Sequence, residues 1–201
     1  MEVSSRRQIY AQETREAILN SAQHLFCRRG FSGTSLDIIA AQAQVTKGAV
    51  YHHFKDKRSV FRACFERQAC KVSAAIAAVP DGADDWQTAF RQCGAFLDYI
   101  LRHGKDTIAL QEVITVLGWE QWREIDSNHT MGHIERTVSR LQASGEMKPY
   151  SANVVVNMVY GLMVDAAVTL STQPDARQTE EDLNGLIRDM LLGLRATGKA
   201  G

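Results

Sequence analysis

Proline is nearly absent from this chain: three in 201 residues, at Pro80, Pro149 and Pro174. An interior proline breaks a helix, so long helices are open along most of the sequence. Cysteine is scarce too. Cys27, Cys64, Cys70 and Cys93 form no CxxC pair and no zinc-finger spacing. They read as reduced thiols of a cytoplasmic protein, with a redox sensor as the minor reading. No apolar run follows a basic start, so no secretory leader is expected. GxGxxG, P-loop, HExxH and GxSxG motifs are missing, as is the Glu-x-x-His pair of di-iron bundles. Those gaps argue against an enzyme, and neither a cofactor nor a metal is expected.

Net charge is also lacking, at zero overall, which at first argues against a nucleic-acid partner. Its distribution reverses that. Residues 1–60 hold nine Lys+Arg against five Asp+Glu, a balance of +4, and residues 61–201 hold 14 against 18, a balance of −4. A basic first segment is an electrostatic footprint for phosphate.

Inside that segment lies Thr34 to Phe54, TSLDIIAAQAQVTKGAVYHHF, which reads as two short helices around a tight turn. Thr34 is placed to cap the first, with Asp37 three residues on in a capping-box arrangement. Leu36, Ile39, Ala40 and Ala43 give it one apolar face. Gln44 and Val45 make the corner. Thr46 caps the second helix, which keeps only Val50 and Phe54 for burial. Lys47, Gly48, Ala49, Tyr51, His52 and His53 are left on the outside. A short helix with that surface fits the major groove of DNA, about one helix wide; the bland alternative is two core helices of a bundle.

From about Glu13 to Phe65 the chain resembles the DNA-binding domain of the TetR family of bacterial transcriptional regulators. The matching residues are Gly30-Phe31, Thr34, Ile39-Ala40, Ala43, Val45-Thr46-Lys47-Gly48, Val50-Tyr51-His52-His53-Phe54 and Lys57. The family usually has Gly where this chain has Gln44, and a left-handed Gln costs on the order of 1 kcal/mol. The resemblance implies an all-α protein of about nine helices. Its N-terminal three-helix helix-turn-helix domain would span residues 1–55, with 1–12 a flexible arm. A helical-bundle effector and dimerisation domain would follow, at 56–201. Lys47, Tyr51 and His52 are the expected base contacts. Thr34, Ser35, His53 and Lys57 take the phosphate positions by the family's pattern, with Thr46 and Gly48 completing the DNA-binding set.

Beyond the motif, Asp56 is placed to cap a helix running to about Val79, roughly 35 Å long at 1.5 Å per residue. That length suits a link between two domains. Asp84-Asp85 opens a fifth helix, and Gly118 breaks a sixth segment from a seventh that continues to Ser144-Gly145. Trp86, Phe90, Phe96, Trp119 and Trp122 line either an aromatic core or an apolar pocket for a small effector. His129 and His133 join them as polar lining. With Asp126 they could share a helix face, but chance i, i+4 histidines are common and no metal site is expected. An eighth helix from Ser151 is apolar nearly all round, though Asn157, Asp165 and its length argue against a membrane span. A ninth, from about Glu180, has one apolar stripe. Val155, Val159, Leu162, Met163, Leu183, Leu186, Ile187, Met190 and Leu194 are the candidates for a two-fold dimer interface.

The expected function is a ligand-responsive regulator on double-stranded DNA, a homodimer on a palindromic operator, released by a small apolar or aromatic effector. The resemblance favours repressor over activator. A helical protein–protein adaptor would explain the helices, but neither the charge split nor the exposed Tyr-His-His face.

Overall fold

A computed structural model describes residues 6–196. The described residues are helical, with no strand beyond an isolated bridge between Met147 and Arg195. In chain order the helices are α1 (Arg6–Arg29), α2 (Leu36–Gln42), α3 (Lys47–His53), α4 (Lys57–Ala77), α5 (Asp85–His103), α6 (Leu110–Asp126), α7 (Gly132–Ala143), α8 (Ala152–Thr172) and α9 (Ala176–Leu192). They group into two compact units: Met1–Gln68 with Lys105–Arg123, and Ala69–Gly104 with Glu124–Gly201. The division between these compact units falls within α4 and α6.

In the first unit the periodic apolar residues meet as expected. Ile18, Leu19, Ala22, Leu25 and Phe26 of α1 are buried with Leu36, Ile39 and Ala40 of α2, Val50 of α3, and Val60, Phe61 and Cys64 of α4. Phe26, Phe31 and Phe61 form a ring cluster with centroids 5.0–6.0 Å apart. Truncating Phe61 to Ala would cost about 3–5 kcal/mol. Residues 6–12, expected within a flexible arm, are the first turns of α1 and are exposed, while residues 1–5 lie outside the described residues.

The cap of α2 is shifted by one residue. Ser35, not Thr34, accepts from the Ile38 amide. Asp37 instead pairs with Lys47 at 2.8 Å. Thr46 caps α3 by accepting from Ala49, and Asp56 caps α4 by accepting from Ser59 at 2.7 Å.

The second unit is built on α5, α7, α8 and α9. Leu97, Val138, Leu141, Val155, Val156, Val159, Met163, Ile187 and Leu191 are buried in it. Mean hydropathy alone would let α8 cross a membrane, yet its buried face packs on α5, α7 and α9. Asp84 caps α5, and Asp175 caps α9 four residues earlier than the sequence pattern placed its start. Gly118 does interrupt α6, at φ 77 and ψ 161, a conformation essentially reserved for glycine. Between α6 and α7 residues Ser127–Met131 wind as a π-helix.

Candidate nucleic-acid interface

The turn between α2 and α3 sets how α3 is presented. Val45 N–H bonds to Ala40 O at 3.0 Å and Gln44 N–H to Ala41 O at 3.2 Å. That is the Schellman pattern, and its C′ residue, Gln44, sits at φ 56. The left-handed turn expected from the resemblance is present, with glutamine in it.

From this turn α3 projects with only Val50 buried. Tyr51 is 51% exposed, and Lys47, Gly48 and His52 are exposed beside it. A Cβ added at Gly48 would meet nothing closer than Thr46 Oγ1 at 3.8 Å. No neighbour inside the molecule requires glycine there. His53 is half-buried against Phe54. Burial first, then His52 and Arg15, lower its pKa. The shift favours a neutral hydrogen-bonding ring over a cation. The Lys47 ammonium is held by Asp37, with both side chains well exposed.

Two of the predicted phosphate residues face inward. Thr34 is 2% exposed, and its hydroxyl donates to Gly30 O at 2.8 Å. Lys57 Nζ donates to Phe31 O at 2.7 Å and to Thr34 O at 2.9 Å, and lies 4.0 Å from the Phe31 ring centroid. Neither presents a free polar group to solvent. Ser35 is exposed, but its hydroxyl is engaged as the α2 cap.

The aromatic and histidine candidates divide between the two units. Trp119 and Trp122 belong to the first, their ring centroids 4.6 Å apart. Trp122 is buried and Trp119 exposed. Trp86, Phe90, Phe96, His129 and His133 belong to the second. Trp86 is 2% exposed, and its indole N–H has no hydrogen-bond partner.

Around the π-helical turn a polar network joins the expected His133 and Asp126 to Ser73, Thr130, Arg136 and Tyr160, which the sequence did not single out. The Tyr160 hydroxyl and the Thr130 hydroxyl donate to the two oxygens of Asp126. His133 Nδ1 lies 2.9 Å from Arg136 and Nε2 2.9 Å from Ser73 Oγ. Arginine can only donate, so Nδ1 accepts and Nε2 carries the proton. Burial, then Arg136, keeps the His133 pKa below its ordinary value. Both its nitrogens are taken, and Asp126 is turned to Tyr160. His129 lies within the π-helical stretch, and its carbonyl accepts from the same Ser73 hydroxyl at 3.1 Å. Among the described residues no His/Cys/Asp/Glu cluster could hold a metal. Burial pushes the Cys64 and Cys93 thiols up to about 12, whereas Cys70 is exposed.

The apolar stripe of α8 and α9 is also rotated from expectation. Val155, Val159, Met163 and Ile187 are buried within their own unit, and Leu162, Leu183 and Leu194 are half-buried. Only Leu186 and Met190 of the expected set stand exposed, joined by Val154 and Met158, which was not expected to do so. Alternation around an all-apolar helix could not tell these two faces apart.

Comparison with known proteins places this geometry. The tetracyclin repressor-like C-terminal domain matches residues 86–194, and the model for bacterial regulatory proteins of the tetR family matches residues 18–64. The chain is similar to the transposon Tn10 TetC protein of Escherichia coli, 30% identical over 195 residues, covering 97% of this chain and 99% of that one. Over 56 residues it is 54% identical to the HTH-type transcriptional regulator AcrR of Shigella flexneri, 28% of this chain and 26% of that one. The crystal structure of a TetR-family transcriptional regulator from Pectobacterium atrosepticum matches with a TM-score of 0.76 at 26% identity, covering 98% of this chain and 100% of that one. With both family models matched and a full-length relative at 30% identity, the chain belongs to the tetR family of bacterial transcriptional regulators.

Proposed function

We propose that the protein is a cytoplasmic, dimeric repressor whose α3 reads the major groove of a palindromic operator. The observation that carries this is the outward face of α3, where Lys47, Gly48, Tyr51 and His52 are exposed and only Val50 is buried. Lys47, Tyr51 and His52 supply the base contacts; the α2 cap Ser35 and the α3 cap Thr46 stand at exposed helix starts suited to phosphate. Two half-sites about 34–36 Å apart would meet two copies of α3.

The second copy is supplied by the chain itself. Val154, Met158, Leu186 and Met190 are each more than half exposed on α8 and α9. Such apolar side chains gain roughly 1.5–3 kcal/mol each on burial, and a two-fold bundle of these helices with their partners would bury all of them.

A small, largely apolar effector is read into the second unit. Supporting it are the buried Trp86 indole N–H without a partner and, in the same unit, the polar network of Ser73, Asp126, His133 and Tyr160. α4 and α6 each belong in part to both units. The effector releases DNA only by fitting the non-operator conformation better.

The test pairs assembly with binding. Sedimentation should give twice the 22.4 kDa chain mass. Met158→Glu with Met190→Glu should give monomers that no longer retain the genomic fragments selected by the wild type. Monomeric wild type at micromolar concentration, or monomeric variants that still hold those fragments tightly, would count against the dimer.

A further inference from the structure

We propose that Lys57 and Glu112 are positioning residues for operator binding, holding the loop from Gly30 to Ser35 and through it α2 and α3. The inference rests on the reading that α3 carries the operator contacts, and it reassigns Lys57 from the phosphate role that its sequence position implied.

The loop between α1 and α2 takes its backbone partners from two distant parts of the chain. Phe31 N–H donates to Glu112 Oε1 at 2.6 Å, across 81 residues. Phe31 O and Thr34 O both accept from Lys57 Nζ, at 2.7 and 2.9 Å. Thr34 Oγ1 closes the loop on Gly30 O. An ammonium has three donors and no acceptor. Two of the Lys57 donors go to these carbonyls, and the third side of the ammonium faces the Phe31 ring at 4.0 Å. Phosphate would have to displace that seat to reach Lys57.

Glu112 is equally committed. Its Oε1 lies 2.8 Å from where a Cβ at Gly30 would stand, so the carboxylate reaches the loop because residue 30 is glycine. Glu112 stands in the first turn of α6, and that stretch is itself fastened to α4. Gln68 exchanges two hydrogen bonds with the Ile108 backbone, at 3.2 and 2.8 Å, and Arg58 caps Leu117 O at 3.0 Å. The loop ends at Ser35, the α2 cap, and α2 leads through Gln44 into α3. A carboxylate and an ammonium on a rigid base thus fix where the reader begins.

Salt dependence separates a positioning residue from a phosphate ligand, because a lost phosphate contact flattens the log K against log salt slope by about one. The assay uses the full chain and a labelled duplex from the genomic DNA that it retains, with helical content and thermal midpoint recorded for each variant. Lys57→Met and Glu112→Ala should each lower affinity about tenfold with an unchanged slope. Glu112→Gln, whose amide oxygen still accepts from Phe31 N–H, should recover most of the loss. The double variant Lys57→Met/Glu112→Ala should lose less than the product of the singles, since both serve one loop. If Lys57→Met does not fold, Lys57→Arg decides. Arginine serves a phosphate site well, so wild-type affinity there would overturn the proposal, whereas a loss at unchanged slope supports it. A slope reduced by about one in Lys57→Met, an unchanged affinity in Glu112→Ala, or a fully additive double variant would each overturn it. Tyr51→Ala is the control for the underlying reading: if it too leaves affinity unchanged, the α3 assignment has failed, not the positioning argument.

Discussion

Gln44 is the residue whose replacement tests the reader's geometry most cleanly. It occupies the C′ position of a Schellman motif at φ 56. The same motif closes α7, where Glu146 N–H bonds to Leu141 O at 3.0 Å, Gly145 N–H to Gln142 O at 3.1 Å, and Gly145 has φ 74. One chain therefore uses one turn twice, once with glycine and once without. A left-handed residue other than glycine costs roughly 1–2 kcal/mol. Glycine returns about 0.4–1 kcal/mol of that through the freedom it adds to the unfolded chain. The Gln44 side chain is exposed, so little packing is at stake. Gln44→Gly should therefore stabilise by about 0.5–1 kcal/mol, or raise the melting temperature by roughly 1–4 °C for a chain of this size. Gln44→Val, β-branched at positive φ, should destabilise by on the order of 1 kcal/mol. Urea titration of the three proteins, followed by helical circular dichroism, measures both. If Gln44→Gly destabilises and Gln44→Val does not, the turn is not left-handed and the orientation of α3 derived from it is wrong.

Gly48→Ala should behave oppositely in two assays. The added methyl meets only Thr46 Oγ1 at 3.8 Å, so helix propensity should raise stability by about 0.5 kcal/mol. On the outer face the same methyl would keep the backbone off the groove, and operator affinity should fall several-fold; unchanged affinity would mean that DNA does not approach Gly48. His133 gives a pH signature. Its folded pKa lies below the unfolded value of about 6.5, so its contribution is fully present above that pH and is lost as pH falls through it. His53 is shifted the same way. Urea midpoints should drop between about pH 7.5 and about pH 5.5, and His133→Gln should drop less; equal slopes would remove His133 as a source.

How much of this was legible in the sequence depended on the range of each interaction. Caps and periodic faces are local, and Thr46, Asp56 and Asp84 could be read directly. Ser35, not Thr34, accepts as the α2 cap, while the buried Thr34 hydroxyl donates back to Gly30 O. Asp37 left its capping box for Lys47, ten residues on. Lys57 could be recognised as matching the family pattern, but not that its ammonium turns inward, since its partners are carbonyls 23 and 26 residues away. Glu112 gave no signal at all; nothing in an apolar α6 pattern announces a carboxylate bound to Phe31 N–H. Helix boundaries failed where apolar periodicity began late, as at Ala176, or changed pitch, as in the π turn at Ser127–Met131. On α8, apolar nearly all round, only packing could decide that Val155 and Val159 face the core while Val154 and Met158 do not.

The central claim is that α3 reads bases, and one comparison tests it directly: the affinity of wild type and of a Tyr51→Ala/His52→Ala variant for a genomic duplex retained by the protein, beside a random duplex of equal length. The account predicts that the variant's affinity for the retained duplex falls to its affinity for the random one, while the random-duplex value stays at the wild-type level. A variant that still prefers the retained duplex as strongly as the wild type would place the sequence-reading surface elsewhere.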